Sequence, residues 1–270
     1  IMGLTRLGTE VKYNFVFYHQ LPFDWDELIE SSIPAVLATQ DIYEYCRELE
    51  KICARLSDGH TGITYSHLSR SSEKIATPPF TTRLFNNKVH IDNIYNDLLS
   101  DMGMKKGMEM VKINGMDVHE YINAYVRPYI CSSTPQWTDY VIFNKNELSR
   151  GKITDTLVIE LKGTNDEPLE MKIDRGMAWK KKDTSIFDFN LLEGNIGHLK
   201  ISTFRNNYSN QQFREQFDKI YEEILQTDAL VIDIRNNSGG NSANGDYILG
   251  HLTDEPFATG GKMGSRIYIP

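Results

Sequence analysis

The spacing of apolar positions changes twice along this chain, first from helical to alternating and then to a strand–helix–strand rhythm. Over roughly the first seventy residues it is helical. Val11, Tyr13, Phe15, Val16 and Phe17 crowd the stretch Glu10 to Tyr18, which is too apolar for an exposed helix. Asp24 or Asp26 can cap a second helix, which Pro34 should end. Asp41 can cap a third, whose Ile42, Tyr45, Cys46, Leu49, Ile52, Cys53 and Leu56 share one face. The pattern predicts a small helical bundle closing at Ser57-Asp58-Gly59-His60, then a strand over Gly62-Ile63-Thr64-Tyr65.

Polar residues 66–79 end in Pro78-Pro79 and read as a linker. Beyond them the period falls to two. Val89-His90-Ile91 alternates, and Gly107 to Ile113 is a strand running into an Asn114-Gly115 turn. Leu157 to Leu161 and Leu169 to Ile173 flank a polar turn at Gly163 to Glu167, which predicts a hairpin. The segment 119–155, with Trp137 inside it, is too long for a bare loop and should hold helix. From Gly194 the order is strand (Ile196 to Ile201), helix (Asn210 to Leu225, with Phe213, Phe217, Ile220 and Ile224 on one face) and strand (Leu230 to Ile234). That is a β-α-β unit, whose parallel strands should be covered on both faces.

Composition narrows the partners more than the fold. An apolar content of 40% and a charged content of 24% are those of an ordinary globular chain. The net charge of −8, with lysines and arginines scattered among acids, argues against a nucleic-acid partner. No apolar run approaches the roughly 18 residues of a membrane span, and no leader is visible. The start at Ile1 implies that a leader, tag or prosegment precedes it. Cys46 and Cys53, seven apart on a helix, lie about 10 Å from each other, beyond disulfide reach. With Cys131 they read as three free, packed thiols, which leaves the compartment open.

Two stretches carry chemistry. Asn236-Asn237-Ser238-Gly239-Gly240 follows the carboxyl end of an α/β strand, where ligands bind. Paired glycines let a backbone approach a substrate and turn N–H groups outward. A helix starting near Asn241 or Ser242 would add its positive end, so the turn suits a phosphate or an oxyanion. A plain strand-to-helix turn would need the same glycines. His60, after Asp58-Gly59 at a helix end, is a candidate general base, its type titrating nearest neutrality. It could equally serve only to hydrogen-bond its turn. No His or Cys spacing suits a metal, and no cofactor is implied.

Three stretches taken together resemble one family. Leu56-Ser57-Asp58-Gly59-His60-Thr61 after a helical bundle, the run Met102 to Gly115 (MGMKKGMEMVKING), and Leu230-Val231-Ile232-Asp233-Ile234-Arg235 with its Gly239-Gly240 turn are similar to the C-terminal processing (tail-specific) serine proteases and their tricorn-core relatives. The resemblance implies an α+β, multidomain fold: an N-terminal helical bundle over residues 1–75, a PDZ-like β domain with a long insertion over 76–180, and the first part of an incomplete ClpP/crotonase-like α/β core over 181–270. It implies hydrolysis of peptide bonds through a serine acyl-enzyme, with the PDZ-like domain holding a peptide or unfolded protein substrate by strand addition. Gly239 and Gly240 take the place of the oxyanion-hole glycines. His60 takes that of the tricorn-like histidine base, where the processing proteases use a lysine. The family's location implies an extracytoplasmic protein, and homo-oligomer formation stays open.

The family's nucleophilic serine follows the double glycine by some tens of residues, so it is expected beyond Pro270. Of the downstream serines, Ser238 and Ser242 fit turn-shaping or helix-capping roles, and Ser265 lacks the nucleophile's context. Two other readings compete. One is a non-catalytic peptide-binding protein on a protease-like scaffold. The other is a nucleotide or acyl-thioester site at the glycine turn, which leaves the first two stretches unexplained.

Overall fold

The computed structural model describes residues 1–64, 74–163, 167–180, 185–205, 210–235, 237, 239–256 and 258. It mixes helices and sheets in two compact units, Ile1 to Lys181 and Lys182 to Met263. In chain order the first unit holds α1 (Met2–Asn14), α2 (Trp25–Ala38), α3 (Ile42–Ala54), β1 (Ile75–Ala76), β2 (Phe80–Phe85), β3 (Lys88–Ile94), α4 (Asp97–Asp101), β4 (Glu109–Ile113), β5 (Met116–Asp117), α5 (Val118–Tyr121), α6 (Pro135–Asp139), β6 (Gly151–Lys152), β7 (Thr156–Lys162) and β8 (Pro168–Asp174). The second holds β9 (Phe187–Leu192), β10 (Ile196–Ile201), α7 (Asn210–Ile224), β11 (Ala229–Asp233) and α8 (Ser242–Leu252). Among the described residues no helix is long and apolar enough to cross a membrane.

The three N-terminal helices bury Leu4, Val11, Trp25, Val36, Leu49, Ile52 and Leu56 against one another. The caps are those expected: Asp24 accepts from the Glu27 N–H at 3.0 Å and Asp41 from the Glu44 N–H at 2.8 Å. Three expectations fail here. The first helix begins at Met2 and stops at Asn14, because its buried face is set by Leu4 and Val11, and the Gly8 carbonyl takes the Trp25 indole at 3.0 Å. Val16 and Phe17 stay exposed. Pro34 does not end α2 but lies inside it, on an exposed face where water can serve the Glu30 carbonyl that the missing N–H would have bonded. Gly62 to Thr64 form no strand, and Tyr65 lies outside the described residues, as do residues 66–73 of the expected linker.

A six-stranded antiparallel sheet follows, in the order β2-β3-β4-β7-β8 with β5 paired to β4. Asn114 (φ 50°) and Gly115 (φ 81°) both take positive φ, the two-residue turn that matches strand twist and sets Ile113 opposite Met116. Phe80, Val89, Ile91, Met110, Ile113, Leu157, Ile159 and Leu161 pack into the core with Ile122, Ile142 and Phe143 of the long segment, which does hold helix. One buried ionic cluster joins this module to the bundle. The Glu50 carboxylate of α3 accepts from Arg47 at 2.6 Å and from Arg150 at 3.1 Å, and Arg150 also pairs with Glu147 at 3.0 Å. Nearby, Lys152 of β6 pairs with the cap residue Asp41.

The second unit is a three-stranded sheet, β11-β10-β9, with β10 and β11 parallel as expected and β9 antiparallel. Phe213, Phe217 and Ile224 of α7 bury Phe187, Leu199 and Ile201. Full cover of both faces does not hold. Val231 and Ile232 point to opposite faces and are 47% and 37% exposed, since β11 has no further strand beside it among the described residues.

Glu50 is only 7% exposed, so Glu50→Ala would leave Arg47 and Arg150 under-neutralised in a site shielded from water. A loss of about 3–5 kcal/mol is expected in urea unfolding. A loss below about 1 kcal/mol would mean that the cluster behaves like a solvated surface pair.

Candidate active site

β11 delivers the chain to the glycine turn, and three side chains fix that exit. Asp233, 8% exposed, accepts from the Arg235 backbone N–H at 2.9 Å and takes both arms of its guanidinium, Nε at 2.9 Å and Nη2 at 2.7 Å. His198, on the parallel strand β10, brings Nε2 to 3.5 Å from the same carboxylate. The hydrogen bonds from the Arg235 side chain, then its backbone N–H, hold the Asp233 carboxyl well below the usual carboxylate range. Asn237 pins the next turn by donating through Nδ2 to the Ile201 carbonyl at 3.0 Å and accepting the Gly239 N–H on Oδ1 at 2.8 Å.

The two glycines are needed for different reasons. Gly239 (φ 84°) occupies a left-handed conformation with open space around its Cα. Its carbonyl accepts the Phe204 N–H at 3.0 Å and the Thr203 hydroxyl at 3.3 Å. Gly240 (φ 148°) lies flat against another segment of backbone: a Cβ there would sit 2.2 Å from the Phe204 carbonyl carbon and 2.3 Å from the Arg205 nitrogen. The Asn241 N–H then bonds the Phe204 carbonyl at 3.0 Å, and Asn241 caps α8 through the Ala243 N–H. Thus the cap is Asn241, and Ser242 is an exposed first residue of the helix. Ser238 and Ser265 lie outside the described residues.

These bonds sort the two amides. The Gly239 N–H is committed to Asn237, whereas the Gly240 N–H meets no acceptor among the described residues. It stands just before the positive end of α8, a place suited to an anion or a developing oxyanion. Asn237 and the His198–Asp233–Arg235 group were not singled out from the sequence. Asn237 stood inside a quoted motif, but its bond to Ile201 crosses to another strand, and only the β10–β11 register sets His198 beside Asp233.

His60 belongs to the first unit, the glycine turn to the second. After α3 the chain turns at Ser57 (φ 51°) and again at Asp58, whose carboxylate accepts the Thr61 hydroxyl at 2.6 Å. Thr61, not His60, closes that turn. Gly59 faces Trp137, and a Cβ there would meet the indole nitrogen at 3.3 Å. The His60 side chain is exposed and lines a cleft of about 560 Å³ with Arg6, Glu10, Asn14 and Phe15 of the N-terminal helix and the residue that follows it.

Residues 195–260, from the start of β10 past the end of α8, match the family model of Peptidase family S41. The glycine turn thus lies inside the segment that matches the model of peptidase family S41, and the resemblance to C-terminal processing proteases is borne out at that level. Among solved structures, mature CPAF is similar over 89% of this chain and 55% of its own, at 13% identity and a TM-score of 0.59. The CPAF S499A mutant is similar over 90% and 57%, at 13% identity and a TM-score of 0.65. The photosystem II D1 C-terminal processing protease matches over 93% and 64%, at 16% identity and a TM-score of 0.42. At such identities the CPAF likeness speaks for the fold. The chain spans less than two thirds of the length of each of these proteins.

Two outcomes follow from the turn's geometry. Gly239→Ala should lose about 1–3 kcal/mol in urea unfolding through its positive φ, whereas Gly240→Ala must also push Phe204 aside and should lose clearly more. Equal losses would show that the Phe204 segment gives way. Because the Asp233 carboxyl is depressed, its bonds stabilise the fold above the ordinary carboxylate pKa of about 4, and that stability fades as pH falls below it. Asp233→Asn should therefore flatten the pH dependence of the thermal midpoint between about pH 4 and 2. An unchanged slope would assign acid sensitivity to other carboxylates.

Proposed function

We propose that this chain is the recognition and oxyanion-binding part of a serine endopeptidase of the C-terminal processing type. The observation that carries this is the sorted pair of amides at Gly239 and Gly240, inside the segment that matches peptidase family S41. A hydrolase that passes through a tetrahedral intermediate needs a fixed N–H aimed at the developing oxyanion, without a protein acceptor of its own. Gly240 supplies it. Asn237 holds Gly239 so that Gly240 keeps that orientation.

His60 is the general base in this reading, taking the proton of the attacking serine and returning it to the leaving amine. Its support is negative but specific: the turn it occupies is closed by Thr61 and Asp58, leaving the imidazole exposed in a cleft. The antiparallel sheet is read as a PDZ-like domain that adds a substrate strand, supported by the Met102 to Gly115 stretch and its tight hairpin. The second unit is read as the first part of a ClpP/crotonase-like core, and the family resemblance is the support for an extracytoplasmic location. Ser242 is not taken as the nucleophile, since it opens α8 as an exposed first residue; the family's serine is expected some tens of residues after the double glycine.

The test is intact mass after exposure to a fluorophosphonate, with peptide hydrolysis followed in parallel. The 270-residue chain should keep its mass, and a chain extended through its reading frame should gain one adduct and cleave peptides. His60→Ala in the extended chain should lower turnover about 10²–10⁴-fold. An adduct on the 270-residue chain would sink the assignment of the nucleophile. Unchanged turnover in His60→Ala would transfer the base to another residue. An extended chain that binds peptide but takes no phosphonate would favour the non-catalytic binding protein.

A further inference from the structure

Between α3 and the stretch 121–129, beside the buried Glu50 cluster, lies a cleft of about 540 Å³. Tyr43, Tyr121, Tyr125 and Tyr129 line it, together with Glu44 and Glu48 of α3. We propose that this cleft binds an arginine side chain of a peptide, with the guanidinium held between a tyrosine ring and the α3 carboxylates.

The charges of the wall favour a cation. Arg47 and Arg150, which also face the cleft, are answered by Glu50 and Glu147. Lys152, with its ammonium 5.4 Å from the centre of the Tyr43 ring, is answered by Asp41. Glu44 and Glu48 are left over. One Glu44 oxygen accepts the Gln40 N–H at 2.8 Å, and Glu48 pairs with no residue among the described residues. Four apart on one helix, the two carboxylates share a face and repel each other until a cation joins them.

The protein's own Arg47 shows which cation such a wall accepts. Its guanidinium stacks 3.6 Å from the centre of the Tyr129 ring while donating to the Glu50 carboxylate at 2.6 Å. Flat, weakly hydrated and rich in donors, a guanidinium can use a ring face and a carboxylate together. A lysine ammonium is a more strongly hydrated point charge, and a quaternary ammonium has no N–H to give the carboxylates. With Arg47 on Tyr129 and Lys152 near Tyr43, the remaining rings are Tyr121 and Tyr125, their centres 5.3 Å apart. Tyr125 is 52% exposed, so its ring is open to a ligand. The volume exceeds what one side chain fills and leaves room for the flanking peptide. This inference does not rest on the peptidase reading.

The probe is a dipeptide amide of benzoylphenylalanine and arginine, photocrosslinked to the folded chain and mapped by mass. The expected label falls within residues 35–48 or 121–150. Nα-acetyl-arginine amide should displace it about tenfold better than the neutral isostere Nα-acetyl-citrulline amide. Glu48→Gln and Tyr125→Ala should each weaken that displacement about 2–5-fold while leaving the thermal midpoint in place. No label, a label outside those ranges, or equal displacement by the citrulline compound would overturn the proposal. So would an unchanged displacement in Glu48→Gln, or stronger displacement by Nα-acetyl-lysine amide.

Discussion

The Glu50 carboxylate is the contact on which the first unit is organised. It sits one residue before Lys51 in α3, yet it faces inward, gripped by Arg47 from its own helix and by Arg150, which directly precedes β6. Such a cluster is poor as a source of net stability, because stripping water from three charges offsets most of their attraction. Its value is geometric. An apolar seam could slide by a residue, whereas two hydrogen-bonded arginines on one carboxylate accept one register. The helix that ends at the His60 loop is thereby set against the segment holding Trp137, and Arg47 donates through its other terminal nitrogen to the Tyr125 carbonyl to the same end.

The second unit is organised by backbone rather than by charge. Phe204 reaches the glycine turn from the end of β10, gives its N–H to Gly239 and takes the Asn241 N–H on its carbonyl. A strand extension, a turn and a helix start are thus joined by main-chain bonds that no side-chain substitution removes, but that a Cβ at Gly240 would break. Asn237 and Asp233 work on the same stretch from the other side, holding its entry while Phe204 holds its exit.

Much of the architecture was legible because the signals were local. Asp24 and Asp41 cap as acids before amphipathic runs should, Asn114-Gly115 makes the two-residue turn, and the β-α-β spacing yields the parallel pair. Where reading failed, tertiary contact outweighed local preference. Leu4 and Val11, not the aromatic run at Phe15 to Phe17, choose the first helix's buried face. Pro34 is tolerated because its helix face is open to water. The glycine turn and His60 could be picked out as chemistry-bearing, but the division of labour between Gly239 and Gly240 depends on a carboxamide two residues away. The pairing of His198 with Asp233 joins residues far apart in sequence and leaves no periodic trace.

Asn237 also sets how this protein ages. Its carboxamide works at both ends, with the nitrogen donating to Ile201 and the oxygen accepting from Gly239. Slow hydrolysis of that amide, the ordinary fate of a labile asparagine, would leave two oxygens and no donor. A carboxylate would then face the Ile201 carbonyl, oxygen against oxygen, and the strand end it had clasped would be pushed away. Storage, and not only mutation, can therefore undo the glycine turn, through a change of one mass unit that leaves most of the fold in place.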